Sequence, residues 1–476
     1  MAFFIEDRLA KYKSELNDNF DIVCRYISVG NKKVGMIFLK SMIDKQIFVQ
    51  GLMSPLIDYE GDDVTVETLK DDVLKMFEVE IVEEEDILSK IMADNVLIFV
   101  DGEKEALAID IEKTPVRTPS EPPTSSVILG PREGFVEDVK TNIGLLRRRF
   151  KSGSLVIKEF EVGRHTKSKV CLFFLKGVAD KKVVSAVSKK IEEIDIDGVV
   201  DSHYILSFLQ ENGSSIFKQV GTTEKPDIVA GKMLEGRVAI MLDGSPIALT
   251  VPFVVLEDLQ SSNDYYTNPV YVSIIRIIRV IGVLFACVVP GVFISLRLYH
   301  YKAIPLKYLI TISNSTQGLP FTPFIEIIFI LILFQILYEV SLRLPSYLGL
   351  ATSIVGALIL GDTGVKAGLI SPPTVIIIAM SIISMYTVPD QAPQLTILRW
   401  IFLLLGGGLG IFGVIVGMIY LTDVMNSLNM YGVPYLAPVS PRVNADLKDA
   451  LVKSSLTEME YRPKSLKAKN KVRLKK

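Results

Sequence analysis

The sequence predicts a multi-domain fold: two N-terminal α/β subdomains, then a polytopic α-helical membrane bundle with one broken or re-entrant segment. Three observations predict it. Charge is partitioned: residues 1–250 carry 33 Lys+Arg against 42 Asp+Glu, residues 251–441 carry 8 against 8, and residues 442–476 carry 11 against 4. The middle block thus spreads 16 charges over 191 residues, which is membrane composition, inside a 476-residue chain whose total balance is an ordinary −2. Apolar stretches approaching the about 20 residues that a hydrocarbon core demands occur only after residue 270. Before residue 252, by contrast, strand-like and helix-like apolar periods are interleaved.

The first subdomain covers residues 1–113. Ile5 to Leu16 has the apolar spacing of an amphipathic helix, and Val23 to Val29 and Val34 to Leu39 read as strands about a Gly30-Asn31 turn. Val66 to Phe77 and Glu84 to Met92 have helical spacing. Val96 to Val100 and Ala106 to Ile111 form a hairpin about Asp101-Gly102. Residues 114–126, TPVRTPSEPPTSS, hold four prolines and read as a linker.

The second subdomain covers residues 127–252. Glu133 to Phe150 reads as a helix with Phe135, Val139, Ile143 and Leu146 on one face. Leu155 to Val162 and Val170 to Lys176 follow as strands, Asp180 to Ile194 and Asp227 to Glu235 as helices. A last hairpin joins Val238–Leu242 to Pro246–Val251.

The membrane block covers residues 253–441. Its apolar stretches are Ile274 to Leu298, interrupted at Pro290-Gly291; Pro323 to Leu342; Leu348 to Ile370, studded with glycine; Thr374 to Val388; and Ile397 to Leu421. Residues 442–476 form a basic tail with seven Lys/Arg in its last thirteen positions, which places the C-terminus on the cytoplasmic side. The N-terminus lacks a signal-length apolar core, so it is expected there too. Both ends on one side demand an even number of spans. Five stretches then leave one that does not cross fully, and 348–370 is the expected exception, because irregular backbone at membrane depth must be covered by protein or water. The tail itself reads either as a solvated extension or as a ligand for anionic membrane lipid.

Charges inside apolar spans mark functional candidates. Glu326, Gln335, Glu339 and Arg343 are candidate intramembrane polar contacts; Glu339 and Arg343, four apart, also read as an interfacial ion pair. Asp362 and Lys366 read either as a mutually neutralising pair or, with Ile354, Leu358 and Val365, as lining of an ion path with a hydrophobic constriction. Gly406, Gly410, Gly413 and Gly417 form two small-xxx-small pairs that let helices approach closely. Three scattered cysteines and three scattered histidines make no disulfide framework and no metal-ligand pattern. No phosphate loop, dinucleotide fingerprint or nucleophile elbow occurs, so neither a cofactor, nor a catalytic residue, nor nucleic-acid binding is expected, and the chain does not read as an enzyme.

Several longer motifs stand in fixed order: VILGPREGFVEDVKTNIGLLRRR (127–149), KPDIVAGKMLEGRVAIMLDGSPIALTVP (225–252), SNDYY (262–266), QGLPFTPFIE (317–326), RLPSYLGLATSIVGALILGDTGVKAGLISPP (343–373) and TVPDQ (387–391). Together they closely resemble the GerA-family spore germinant receptor A subunits. SpoVAF-type paralogues share the architecture and stay open as an alternative; SNDYY points to the receptors. The resemblance implies a protein of the spore inner membrane with its soluble part facing the core. It implies partnership with a transporter-like B subunit that binds the nutrient and a lipoprotein C subunit. It further implies a homo-oligomer, with a pentamer expected, that forms a nutrient-gated channel for monovalent cations and starts germination by ion release. A non-conducting scaffold is one alternative. A secondary transporter is another, although such transporters show paired broken helices and this chain shows one broken segment and no internal repeat.

Overall fold

A computed structural model describes residues 4–17, 19–61, 64–93, 95–111, 129–344, 356 and 359–474. The expected linker 114–126, and Ile354 and Leu358, lie outside the described residues.

The first unit opens with α1 (Ile5–Glu15), whose Ile5, Leu9 and Tyr12 face one side of a sheet. β1 (Ile22–Val29) and β2 (Lys32–Leu39) pair in antiparallel register from Ile22↔Leu39 to Val29↔Lys32, turning where Gly30 holds φ +50°. Helical turns at 45–57 and 66–73 follow, then β3 (Val79–Val82), α2 (Ile87–Met92), β4 (Asn95–Val100) and β5 (Ala106–Asp110). The spatial order is β1-β2-β4-β5-β3. Both faces of this sheet are buried, one under α1 and α2 and the other under the 45–57 and 66–73 turns.

The second unit repeats that plan. α3 (Val139–Arg147), β6 (Leu155–Val162), β7 (Ser168–Leu175), α4 (Lys181–Glu192), α5 (Ser202–Leu209), β8 (Gly221–Thr223), α6 (Pro226–Leu234), β9 (Val238–Leu242) and β10 (Ala248–Val251) make a sheet of order β6-β7-β9-β10-β8. The soluble part therefore does hold a structural repeat, which the diverged sequences of the two units hide. α3 starts at Val139 and not at Glu133, because the Asp138 side chain accepts the Thr141 N–H and caps the helix there. Phe135, on the extended approach, still joins the same core. The units meet through Asn19, whose Oδ1 accepts from Ile157 N at 2.7 Å and whose Nδ2 donates to the Leu155 carbonyl at 3.0 Å, occupying the outer edge of β6.

The bundle starts with α7 (Pro269–Cys287) and α8 (Val289–Leu298), which continue in one direction past Val288. Next come α9 (Leu306–Thr316), none of whose residues is buried, α10 (Pro323–Arg343), α11 (Pro372–Met385) and α12 (Ala392–Ser427). Among the described residues, three helices are long and apolar enough to cross a membrane, namely α7, α10 and the last.

One expectation changes, at the last helix. α10 and α11 are parallel: Glu326 near the start of α10 bonds Ser371 just ahead of α11, and Tyr338 near its end lies 6.4 Å, ring to ring, from Tyr386 just past α11. In the stretch between them, residues 345–355, 357 and 358 lie outside the described residues. Its described end is broken, a π turn over Ile359–Thr363 followed by one helical turn, Gly364–Lys366. The 36-residue α12, in turn, is not one span. Gly410 adopts φ +65°, and beyond it a Cβ on Gly417 would lie 2.7 Å from Leu405 Cδ1 and 3.0 Å from Phe402 Cε1. Residues twelve and fifteen positions apart meet only if the helix folds back, so 392–409 and 411–427 are antiparallel arms. The start of α7 and the end of α12 share one face of the bundle, termed proximal because the soluble units sit against it.

The basic segment is no solvated extension. After β11 (Asn429–Met430) and β12 (Val433–Pro434), residues 435–474 wrap the proximal face. Leu466 buries itself with Val254, Val433 and Ala437, Arg462 Nε donates to the Leu234 carbonyl that ends α6, and Lys469 N donates to the Val178 carbonyl.

A candidate site of buried polar contacts in the helical bundle

The kink between α7 and α8 begins with a missing donor. Pro290 has no N–H to offer the Ala286 carbonyl four residues earlier. Two side chains from other helices take its place: Ser381 Oγ of α11 donates at 2.7 Å and Arg399 Nε of α12 at 2.9 Å. Arg399 is itself buried, and its second contact is the Met385 sulfur at 3.4 Å. One lost backbone hydrogen bond thus ties three helices together.

The distal half holds a second knot. Glu326, 1 % exposed, accepts from Ser371 N and Ser371 Oγ, each at 2.6 Å, and stands 3.3 Å from Arg297 Nη1. Arg297 Nη1 also donates to Thr374 Oγ1 at 3.0 Å, and the Ser371 and Thr374 hydroxyls are 2.9 Å apart. Glu326 therefore sits in the protein interior, with charge and hydrogen bonds matched. A buried carboxylate needs such matching because desolvation otherwise outweighs its attraction to a partner.

The remaining sequence candidates lie elsewhere. Glu339 and Arg343 form an exposed pair at 2.6 Å, with Gln335 exposed one turn earlier. Asp362 and Lys366 also pair, at 2.8 Å, yet their side chains are 51 % and 73 % exposed on the outside of the chain. Val365 is half-buried against the cluster of Ile294, Ile327 and Leu403. Among the glycines, a Cβ on Gly406 would lie 2.1 Å from the Gly291 carbonyl oxygen and one on Gly291 2.3 Å from the Phe402 oxygen, so here α8 and the first arm of α12 touch backbone to backbone. Gly413 and Gly417 face the other arm of the same helix, and Gly410 makes the reversal. At the turn, Tyr299 Oη donates to the Gly407 and Gly408 carbonyls at 2.8 and 3.1 Å, meeting acceptors that the kink frees.

A third constellation, at the proximal junction, went unread in the sequence. Arg276 of α7 is fully buried; its Nε donates to Asp264 Oδ2 at 3.0 Å, and its Nη1 to Asp449 Oδ1 at 3.0 Å and to the Asp449 and Ala450 carbonyls at 2.9 and 2.7 Å. Arg279 takes both Asp264 oxygens at 2.8 and 2.9 Å. Lys453 closes the ring from the C-terminal segment onto the Asp264 carbonyl. Burial alone would raise the Asp264 carboxyl, but the Arg279 and Arg276 guanidiniums overcome it and hold it below the usual carboxylate range. Beside it, Arg237 and Glu257 pair at 2.9 Å and Lys232 reaches Glu257 at 2.7 Å, while Lys218 bridges Asp258 and Asp390. The signal was present: Arg276, Arg279, Arg297 and Arg399 are cations inside apolar stretches, and each has its partners on another segment. No group among the described residues has the three or more His, Cys, Asp or Glu side chains that would hold a metal ion.

Comparison with known proteins adds the following. The family model described as Bacillus/Clostridium GerA spore germination protein matches residues 10–465. Spore germination protein KA of Bacillus subtilis (strain 168) is 33% identical over 98% of this chain and 87% of its own length. Spore germination protein XA of Bacillus anthracis is 35% identical over 80% of this chain and 78% of its own. An uncharacterized membrane protein of B. subtilis, YfkQ, is 32% identical over 93% and 87%. Among solved structures, the N-terminal domain of the A subunit of the Bacillus megaterium spore germinant receptor GerK3 matches 52% of this chain and 94% of its own, at 28% identity and a TM-score of 0.42.

Proposed function

Because this chain belongs to the GerA family of spore germination proteins, we propose that it is the A subunit of a germinant receptor and that copies of it assemble into a nutrient-gated cation channel. In this reading it sits in the spore inner membrane with its soluble units and C-terminal segment on the core side. It works there with a transporter-like B subunit, which senses the nutrient, and a lipoprotein C subunit.

The observation that carries the channel reading is the Asp362–Lys366 pair. It belongs to the broken segment of an apolar bundle, and both side chains are open on the isolated chain. Charged groups at that place cannot face hydrocarbon without large cost. A second copy of the chain or an aqueous lumen satisfies them, and a ring of copies supplies both. The expected constriction residues Ile354, Leu358 and Val365 belong to the same segment.

The test is electrical. The full-length chain, purified and reconstituted into planar bilayers, is expected to conduct monovalent cations, and Val365→Ala or Leu358→Ala to raise the open probability. In spores the same variants should germinate without nutrient. Silence from a chain that still assembles with its partners would assign conduction to another protein and leave this one a scaffold.

A further inference from the structure

The connection between α8 and α10, residues 299–322, leaves and rejoins the bundle at its distal end. Arg297, one residue before α8 stops, meets Glu326 in the first turn of α10, and the Tyr299 ring lies beside Gly410, where α12 reverses. The 11-residue α9 inside this connection is about 16 Å long against about 30 Å of hydrocarbon, so it cannot cross a bilayer and stays at that end. The outside of α10 gives the level. Exposed Ile325, Ile332 and Ile336 run along it toward Tyr338 and the exposed Glu339–Arg343 pair. From Pro323 to Tyr338 that apolar run is about 24 Å long at about 1.5 Å per residue. With a tyrosine and a charged pair marking the proximal boundary of the apolar surface, the distal boundary falls at the first turn of α10, beside the connection that carries α9.

α9 itself is amphipathic. Leu309, Ile312 and Thr316 share one side and are half-buried, and the helix touches the bundle at α11. Leu306 and Ile310 widen that apolar arc on one flank and Tyr308 on the other; they are 70 %, 51 % and 66 % exposed. Lys307, Thr311 and Asn314 take the opposite side. A single docked partner covers one flank of a helix. Open apolar residues on both flanks of the bundle-facing stripe, with polar side chains turned outward, are what a helix lying in a bilayer surface presents. The charge of the connection is one-sided as well. Lys302, Lys307 and His300 are all exposed, and no Asp or Glu occurs from 298 to 325. Tyr299 and Tyr301 are exposed beside them, each an apolar ring with a polar tip, as at a membrane–water boundary.

We propose that α9 is an interfacial helix of the distal leaflet and, together with Lys302, a binding site for anionic phospholipid. Leu306, Tyr308 and Ile310 enter the acyl boundary, and the Lys302 and Lys307 ammoniums hold headgroup phosphates. The proposal rests on the bundle crossing a membrane and is independent of conduction. The bilayer thereby holds the connection between the two helices whose ends meet at Glu326.

The experiment uses the full-length chain in vesicles of phosphatidylglycerol and phosphatidylcholine. In a Cys24→Ser, Cys171→Ser, Cys287→Ser background, one nitroxide at a time is placed on Leu306→Cys, Ile310→Cys or Asn314→Cys. Oxygen concentrates in the acyl region and a nickel chelate stays in water, so the ratio of their relaxation effects reads depth. At 306 and 310 the ratio should favour oxygen several-fold over 314. Equal ratios at the three positions overturn the proposal, and so does shielding of 306 and 310 from both reagents, as a second copy would shield them. Ile332→Cys, on the outward side of α10, tells which reading has failed. Oxygen favoured there but not at 306 and 310 removes the interfacial helix alone, and nickel favoured at all of them removes the membrane crossing with it. Native mass spectrometry of the unsubstituted chain supplies a measurement that depends on no variant. It should retain phosphatidylglycerol several-fold over phosphatidylcholine, and Lys302→Gln with Lys307→Gln should remove most of that preference. A parent chain without the preference, or a double variant that keeps it, overturns the lipid site.

Discussion

Pro290 removes one hydrogen bond from the first helix of the bundle, and Ser381 and Arg399 supply its replacement from two other helices. Glu326 shows the same economy in a charged form: every acceptor contact it makes comes from a different segment, α8 through Arg297 and the turn ahead of α11 through Ser371. Removing one partner of such a pair leaves an unmatched buried charge, at a cost of about 3–5 kcal/mol. Arg297→Met is therefore expected to lower the thermal midpoint of the full-length chain in detergent sharply. The double change Arg297→Met, Glu326→Leu should recover most of the loss, because it leaves neither charge buried. Equal losses in the single and the double variant would show that Arg297 acts through packing alone. Glu326 was legible as a candidate because it is a carboxylate in an apolar run. Its partner was not, since Arg297 lies 29 positions away and nothing local links the two.

Among elements, the hairpin strands were the most legible, and the reason is their shortness of range. A two-residue turn and a period of two fix the register of β1 with β2 without help from the rest of the chain. The last apolar stretch was the least legible. Both arms of α12 are equally apolar, so hydropathy runs through the reversal without a mark, and a glycine's dihedral angle is not written in composition. The four glycines divide by role: Gly406 permits a crossing, Gly410 turns the chain, Gly413 and Gly417 let the arms close. Gly406→Ala should therefore destabilise the chain, since its Cβ would press on the Gly291 carbonyl. Gly408→Ala, which meets nothing within 4 Å, should be neutral or slightly stabilising through helix propensity. Gly410→Ala should cost about 1–3 kcal/mol, because φ +65° with ψ −152° is a backbone conformation essentially confined to glycine. Chemical denaturation of the three variants checks the ranking, and a neutral Gly406→Ala would contradict the crossing.

Across the whole molecule, the C-terminal segment binds the soluble second unit, the connection 252–268 between β10 and α7, and α7 itself into one junction. Residues 449 and 450 help bury Arg276, bonding its Nη1 through the Asp449 carboxylate and the Ala450 carbonyl. A chain ending at Pro441 should keep both sheets and the bundle. It should also expose Arg276, free Asp264 from Lys453, and raise hydrogen exchange selectively over 255–280. Exchange unchanged there would show that the segment merely rests on the surface. Any motion of the soluble units that reaches the bundle has this junction in its path, whichever way the chain conducts or scaffolds.

The sequence by itself determined the partition into an acidic soluble half, a nearly uncharged bundle and a basic end, and with it the fold class and the family. Charge density, apolar run length and strand period are local quantities, readable residue by residue. Only the tertiary structure decided that the two soluble units share one topology, that α10 and α11 run parallel, that α12 is two arms, and that the basic end is a clamp. Each of those depends on which distant groups satisfy a buried carbonyl, carboxylate or guanidinium. In a low-dielectric interior that choice is made by partners tens to hundreds of residues away, and a linear pattern does not carry it.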